Sequence, residues 1–402
     1  MQNKAVNKIP IIAFQLCIIA NSVFGIDTST YKISKAIMLA FFAVMAISIL
    51  LDWRHLRVGN QLILPIMFIL YCVISLLWAY NQRVACRQLT TQLQLILLLI
   101  FTYMVMMRGA EIKDYLEAVY IAGWGMVAFA IVRYGGLANY IKVMEEGTRM
   151  GSEITNENVF GLVFSNAALA AAYYLIFRKR KLDIISIAVF TFFALSSGSK
   201  KAALLIVLGV LAIVAVNYGI RKIYKTVIVG VVILMITSYV LQLPYFETVN
   251  VRLEEYFSGE LNASDENRQQ LIAAGIRLFK ERPFFGYGLD NFRVAAVTSV
   301  YSHNNYIEVL VSCGVVGFAL YYFMYLIPIC KIFLGRYRRF AWRNREYLML
   351  LILLAMDLVF SYGMVQLYDK TSYILLGVAL ASANKLGFIC QKETLGNSQE
   401  NQ

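Results

Sequence analysis

The chain has 402 residues, 60% of them hydrophobic and only 15% charged, with a formal charge of +13 and a mean hydropathy of +0.64. A water-soluble globule would have to expose much of that apolar surface, so the composition excludes one and indicates a polytopic membrane protein. The positive charge needs no nucleic acid to explain it once it is divided between the two sides of a bilayer.

A spanning helix needs ~20 mostly apolar residues. Twelve stretches come close: 9–24, 33–51, 61–79, 91–107, 115–133, 157–177, 183–198, 202–219, 225–243, 305–328, 346–365 and 371–389. Their apolarity is unbroken rather than alternating, which predicts helices and not a barrel. The expected fold is all-α, about 12 transmembrane helices in one membrane domain over 1–389, with a polar cytoplasmic tail over 390–402. The first apolar run follows Lys4 and Lys8 but no small-x-small cleavage site follows cleanly, so it reads as a retained helix. With a cytoplasmic N-terminus, 21 of the 37 cations fall on the cytoplasmic side, including Arg178-Lys179-Arg180-Lys181. Of the other 16, nine lie in two long outer segments, counting Arg133 at the edge of the first, where the positive-inside bias is weak, and seven in short outer connections. That split predicts both termini inside.

The two outer segments are 134–156 and 243–304. A structureless loop as long as the second would be unusual, so helices are expected within it, ahead of helix 10. Glu266–Glu281 carries apolar residues at Leu271, Ile272, Ala274, Ile276, Leu278 and Phe279, an amphipathic pattern that Pro283 and Gly286-Tyr287-Gly288 terminate. Such a helix either lies on the outer leaflet and guides a lipid-linked substrate, or covers the membrane domain as a lid. Six cysteines show no Cys-x-x-Cys pair, which argues against disulfides and zinc.

His303, one of two histidines, stands at the outer end of helix 10. Arg149, Lys200, Lys201, Arg252, Arg268, Arg277, Lys280, Arg282 and Arg293 share that face, an array suited to a phosphate-bearing substrate. A histidine, with a free pKa near ~6.5, can take a hydroxyl proton at neutral pH. Ser302 is placed to cap helix 10, whose first N–H groups would then favour an anion. Gly314 and Gly317 lie three apart on one face of that helix, where small residues let a second helix approach, so base and packing notch would share one rigid rod. Glu308, one turn from Asn304, either orients polar groups near His303 or is a satisfied interfacial carboxylate, the second reading being favoured. Asp290 and Asp369 could meet sugar hydroxyls, and Tyr287, Tyr301 and Tyr306 could stack on a sugar. The Gly-x-Gly at 286–288 is no dinucleotide loop, because no strand precedes it and the third glycine is missing.

These features fall in a recognisable order. Arg149-Met150-Gly151 precedes Asn156-Glu157-Asn158 and Phe160-Gly161; Ser197-Gly198-Ser199-Lys200-Lys201 follows. Then come Arg268, the run Pro283-Phe284-Phe285-Gly286-Tyr287-Gly288-Leu289-Asp290-Asn291-Phe292, and His303-Asn304 with Gly-x-x-Gly nine residues on. The set resembles the bacterial O-antigen ligase and polysaccharide polymerase superfamily. It departs from that pattern at Glu157, where proline is usual, at Lys200, where the family has a functional arginine, and at Lys201, where it has glycine.

The resemblance implies an inverting glycosyltransferase, free of metal and other cofactors, that moves a glycan from an undecaprenyl-diphosphate-linked oligosaccharide onto an acceptor hydroxyl outside the cytoplasmic membrane. His303, Arg268, Lys200 and Arg149 would be catalytic, Asn304, Lys201, Tyr306, Asn158 and Asp290 substrate-binding, and Gly314 and Gly317 helix-packing residues. A repeat-unit polymerase is the favoured reading. A ligase to lipid A core, or an oligosaccharyltransferase acting on protein, is the alternative. A non-catalytic transporter of lipid-linked sugar is disfavoured, since the cations gather at one face rather than within the spans. Partners implied are the lipid-linked donor, the glycan acceptor, the bilayer, a chain-length regulator and a flippase.

Overall fold

The structure is a computed structural model and describes residues 8–53, 59–242, 263–298, 300–333 and 338–399. Residues 243–262 of the long segment expected outside, with Arg252, lie outside the described residues. Among the described residues there are sixteen α-helices and no strand. They are α1 (Lys8–Val23), α2 (Tyr31–Leu51), α3 (Ile63–Ile74, with a 3-10 turn at each end), α4 (Gln82–Met107), α5 (Ile112–Arg133), α6 (Leu137–Glu145), α7 (Glu157–Phe177) and α8 (Asp183–Ser196). There follow α9 (Lys200–Tyr218), α10 (Ile223–Leu241), α11 (Ala263–Glu281), α12 (Phe292–Ala295), α13 (Asn305–Phe333), α14 (Arg338–Arg343), α15 (Arg345–Ser361) and α16 (Lys370–Gln399).

Each of the twelve expected stretches falls on a helix. Seven segments, Tyr31–Leu51, Asn60–Leu77, Gln82–Met107, Ile112–Arg133, Glu157–Phe177, Lys200–Tyr218 and Asn305–Phe333, are long and apolar enough to cross a membrane. Lys8–Val23, Asp183–Ser196 and Ile223–Val232 are shorter apolar helices, and α15 and α16 take the last two expected positions. The tail expected from residue 390 continues α16 through Gln399. The expected amphipathic helix is α11, and the segment 134–156, expected outside, holds α6.

The helices gather into two compact units, Met1–Val44 with Lys113–Leu261, and Met45–Ile112 with Asn262–Gln402. In the first unit α7 is central, and its small face, Ala167-Ala168 and Ala170-Ala171-Ala172, is fully buried. Close approach is built in: a Cβ on Gly123 of α5 would stand 2.5 Å from Ala167 Cβ, and one on Gly209 of α9 would stand 2.5 Å from Leu169. Small residues drive such contacts because lipid offers no hydrophobic gradient for large ones to exploit. Phe160, Phe164, Phe190, Phe193 and Tyr140 fill the space toward the α8–α9 turn.

The second unit buries polar groups between its helices. Tyr325 donates to Asp357 at 2.8 Å, Ser372 bridges Asp357 and Gln366 at 3.0 Å each, and Gln92 donates to Tyr373. Asn384 donates to the Tyr103 hydroxyl at 2.8 Å. Polar groups paired across helices in this way fix helix register in an apolar medium. Asn305 is the hub at one end: its Oδ1 accepts from the backbone of Gln366 (2.9 Å) and Leu367 (2.8 Å), while its amide donates to Tyr322 at 2.9 Å. It thereby pins the α15–α16 turn to the start of α13.

Candidate active site

In the first unit the loop before α7, the first turn of α7 and the α8–α9 turn meet. Arg149 Nε donates to Ser197 O at 3.0 Å, and its Nη1 lies 3.5 Å from the Glu157 carboxylate. Met150 N–H donates to Ser196 O at 3.0 Å. Gly198 turns at φ 62° beside the Arg149 side chain, where a Cβ would come within 3.1 Å of Nε. Ser199 caps α9 and donates to Asn158 Oδ1 at 2.9 Å. Three motifs separated by up to fifty residues are thus one cluster.

The family departures have a local logic. Glu157 is the first residue of α7, after its cap Asn156. That position tolerates proline because its N–H has no helical partner, and it also favours an acid through the helix dipole. Here the acid pairs with Arg149. Lys200 and Lys201 open α9, the end at which a cation opposes the dipole by about 0.3–1 kcal/mol each. Helix stability does not ask for them there.

In the second unit His303 sits at φ 54°, a left-handed residue just ahead of α13. Its ring lies 4.4 Å from that of Tyr301, and the charge of Arg268 acts on the same phenol. Burial pushes the Tyr301 phenol above its ordinary range and Arg268 opposes this, so the hydroxyl remains a donor at neutral pH. Tyr301 thus has the His303 ring against it and feels the charge of Arg268, 35 residues before His303 in sequence.

The support of His303 differs from the expectation. Ser302 does not cap the helix; α13 begins at Asn305, and Asn304 is the cap, accepting from Ile307 N–H at 3.2 Å. Ser302 Oγ instead donates to Asn304 O at 2.8 Å, and Ser302 N–H donates to Glu308 Oε2 at 3.0 Å. Glu308 is fully buried. Its carboxylate reaches back over the first turn and closes the bend that carries His303, much as a capping-box glutamate does.

Gly314 also behaves differently. It breaks α13 at φ 62° and ψ −172°, so the helix is not one rigid rod. What approaches it is not a helix but the Pro283–Gly288 segment. Val315 N–H donates to Pro283 O (2.8 Å) and Val316 N–H to Phe284 O (3.3 Å), while Tyr287 and Gly288 N–H donate to Val311 O (2.8 Å) and Ser312 O (2.9 Å). A Cβ at Gly314 would stand 2.2 Å from Phe284 O, and one at Gly286 would stand 2.6 Å from Val311 O. Gly314 is nine residues into α13, about 13 Å along it. Non-helical backbone at such depth persists only where protein satisfies it, and here Tyr71 donates to Phe285 O (3.0 Å) and Cys313 O (2.6 Å), with Trp78 donating to Phe285 O at 3.1 Å. Gly317 keeps its expected part, since a Cβ there would press on the Tyr71 ring of α3 at 2.8 Å.

The remaining candidates are largely engaged within the protein. Asp290 pairs with Arg293, and its N–H donates to Tyr368 at 2.9 Å; burial, more than Arg293 offsets, holds its carboxyl above the usual range. Asp369 accepts from Ser372 N–H at 3.0 Å and caps α16. Tyr306 donates to Leu358 O at 2.8 Å and stacks on Tyr322 at 5.2 Å. Tyr287 donates to Glu281 at 2.6 Å, and burial with that carboxylate pushes its phenol up to about 12. Helix α11 packs on α13 through Gly275, where a Cβ would meet Ile307 at 2.2 Å. Tyr71 and Trp78, more than 200 residues before their partners, carry no sequence signal that would have joined them to the site.

Residues 184–322 match the family model described as O-antigen ligase. The match takes in Ser197–Lys201, Arg268, Pro283–Phe292 and His303–Gly317 and leaves Arg149–Asn158 outside. No curated protein matches the chain. Members of the family are membrane glycosyltransferases of the ligase and polymerase type. The left-handed histidine, the loop that breaks α13 and the lysine pair opening α9 all lie inside the matched region, and the chain is a multi-pass membrane protein carrying an O-antigen ligase family domain over residues 184–322.

Proposed function

We propose that the protein polymerises undecaprenyl-diphosphate-linked oligosaccharide repeat units into O-antigen, capsular or exopolysaccharide on the outer face of the cytoplasmic membrane. The observation that carries this reading is His303, held left-handed at the head of α13 with its ring 4.4 Å from that of Tyr301, inside the matched family domain. His303 takes the proton of a sugar hydroxyl on one lipid-linked unit as that oxygen attacks the anomeric carbon of a second. The new glycosidic C–O bond forms as the bond to the diphosphate oxygen breaks, and the carrier diphosphate leaves with the negative charge. Arg268 stabilises developing charge near the histidine; Arg149 and Lys200, on their charge and motif, bind anionic oxygens of the lipid-linked substrate. Of the residues expected to bind substrate, Asn304, Tyr306, Asn158 and Asp290 hold partners within the protein and would shape the site, and Lys201 adds charge beside Lys200. A single displacement inverts the anomeric centre. No step in this scheme requires a metal or nucleotide.

The test is the purified protein in liposomes, supplied only with a lipid-linked repeat unit. A ladder of lengthening products is the expected result. The family's description favours a second reading, transfer of the finished glycan to lipid A core. Product that forms only when such a core acceptor is added would replace the polymerase by the ligase. Lys200→Arg is expected to keep activity within about threefold, because the leaving group needs charge, whereas Lys200→Ala should lose about 10- to 100-fold. Loss in Lys200→Arg equal to that in Lys200→Ala would show a site shaped around the ammonium itself.

A further inference from the structure

In the first unit, α5, the α7–α8 turn and the start of α8 border an open cleft of about 510 Å³ lined by Tyr120, Trp124, Arg180, Lys181, Leu182, Asp183, Ile185 and Ser186. It lies at the opposite end of α7 and α8 from the Arg149 cluster. Its lining has two characters. Arg180 and Lys181 form a cationic rim continuous with the exposed Arg178 and Lys179. Against it stand Trp124 and the chain's apolar outward residues Leu182 (80% exposed), Ile184 and Ile185.

The arginine is held in place. Asp183, buried, takes Arg180 Nε at 3.1 Å and Nη2 at 3.3 Å, and is itself held by the Tyr120 hydroxyl at 2.9 Å. The guanidinium lies over the rings of Tyr174 (4.7 Å) and Tyr120 (5.3 Å). That pair uses the Nε–Nη2 edge, and a guanidinium has further donors on Nη1. Four cations, at 178, 179, 180 and 181, stand against two carboxylates, Asp183 and Glu117, the latter acting on Tyr174. The local balance is therefore positive by two.

We propose that this cleft binds an anionic phospholipid, its phosphodiester on Arg180 and Lys181 and the upper acyl chain along Trp124, Leu182 and Ile185. The volume is far more than a free phosphate needs, and half its wall is apolar, which a soluble anion would not use. Charge selects the headgroup, since each juxtamembrane cation favours an anionic lipid by about fivefold. The site makes no use of the motif residues and is independent of the proposed reaction.

The test uses the full chain and native mass spectrometry after exchange into micelles holding equal phosphatidylglycerol and phosphatidylcholine. Retention of phosphatidylglycerol in clear excess is expected, falling about fivefold in Lys181→Gln and about 25-fold in Lys179→Gln/Lys181→Gln. These residues are exposed, so thermal melting should stay at the parent value. Ile185→Gln should weaken retention of both lipids while leaving the preference for the anionic one. No preference in the parent, or unchanged retention in the double variant, would overturn the proposal. So would displacement of the lipid by millimolar inorganic phosphate, which would reduce the site to an anion pocket.

Discussion

His303→Asn should abolish polymer formation, with single repeat units accumulating on the carrier, and should do so as completely as His303→Ala. Loss of a positioned base costs about 10²–10⁴ in rate, enough to remove a ladder from a gel. The asparagine variant separates chemistry from backbone. His303 is left-handed, and asparagine, like histidine, adopts that region far more readily than alanine does. If the residue served only to hold the turn, His303→Asn would retain most activity and His303→Ala would not. Equal inactivity, with both variants extracted as monodisperse protein, supports the base. Ladders of normal length from His303→Asn would end the assignment.

Gly314→Ala is expected to be the most damaging single-methyl change in the second unit. The added carbon would stand 2.2 Å from a backbone oxygen, Phe284 O, that cannot rotate away, at a residue whose φ of 62° already disfavours a side chain. Displacing the Pro283–Gly288 segment would strand the N–H groups of Val315 and Val316. A buried orphan costs about 1–3 kcal/mol each, and the strained backbone adds about 1–3 kcal/mol. Gly317→Ala meets side chains instead, Cys313 Cβ and the Tyr71 ring, and a ring can tilt, so about 1–2 kcal/mol is expected there. Thermal inactivation in detergent, read as loss of monodisperse protein, should therefore rank Gly314→Ala well below Gly317→Ala and the parent. Equal melting of the two variants would mean that the break in α13 does not carry the loop.

How much of the site could be read beforehand follows from the range of each interaction. The α11 helix was legible because its apolar spacing is local, and so was its end at Pro283. The order of the motifs marked Arg149, Lys200, Arg268 and His303, and the structure sets Arg149 against the turn that precedes Lys200 and the His303 ring against Tyr301, on which the charge of Arg268 acts. The cap of α13 was misplaced by two residues, since Ser302 and Asn304 are both capping types and only the Glu308 carboxylate reaching Ser302 N–H decides between them. Gly314 was read as a notch for a helix because a glycine in an apolar run looks the same whether a helix or a loop comes against it. The loop was specified elsewhere, by Gly286 and Gly288, and by Tyr71 and Trp78 more than 200 residues away.

By itself the sequence determined what local chemistry can determine. Unbroken apolar runs can satisfy their backbone in lipid only as helices, the charge pattern marks their ends, and a rare histidine beside a set of cations marks where an anionic leaving group could be handled. Only the tertiary structure decided that two motifs, the Gly-x-Gly run and the histidine helix, are a single object. Their hydrogen bonds cross from one segment to the other, so neither the break in α13 nor the loop that fills it is stable alone, and no period or spacing within either records the pairing.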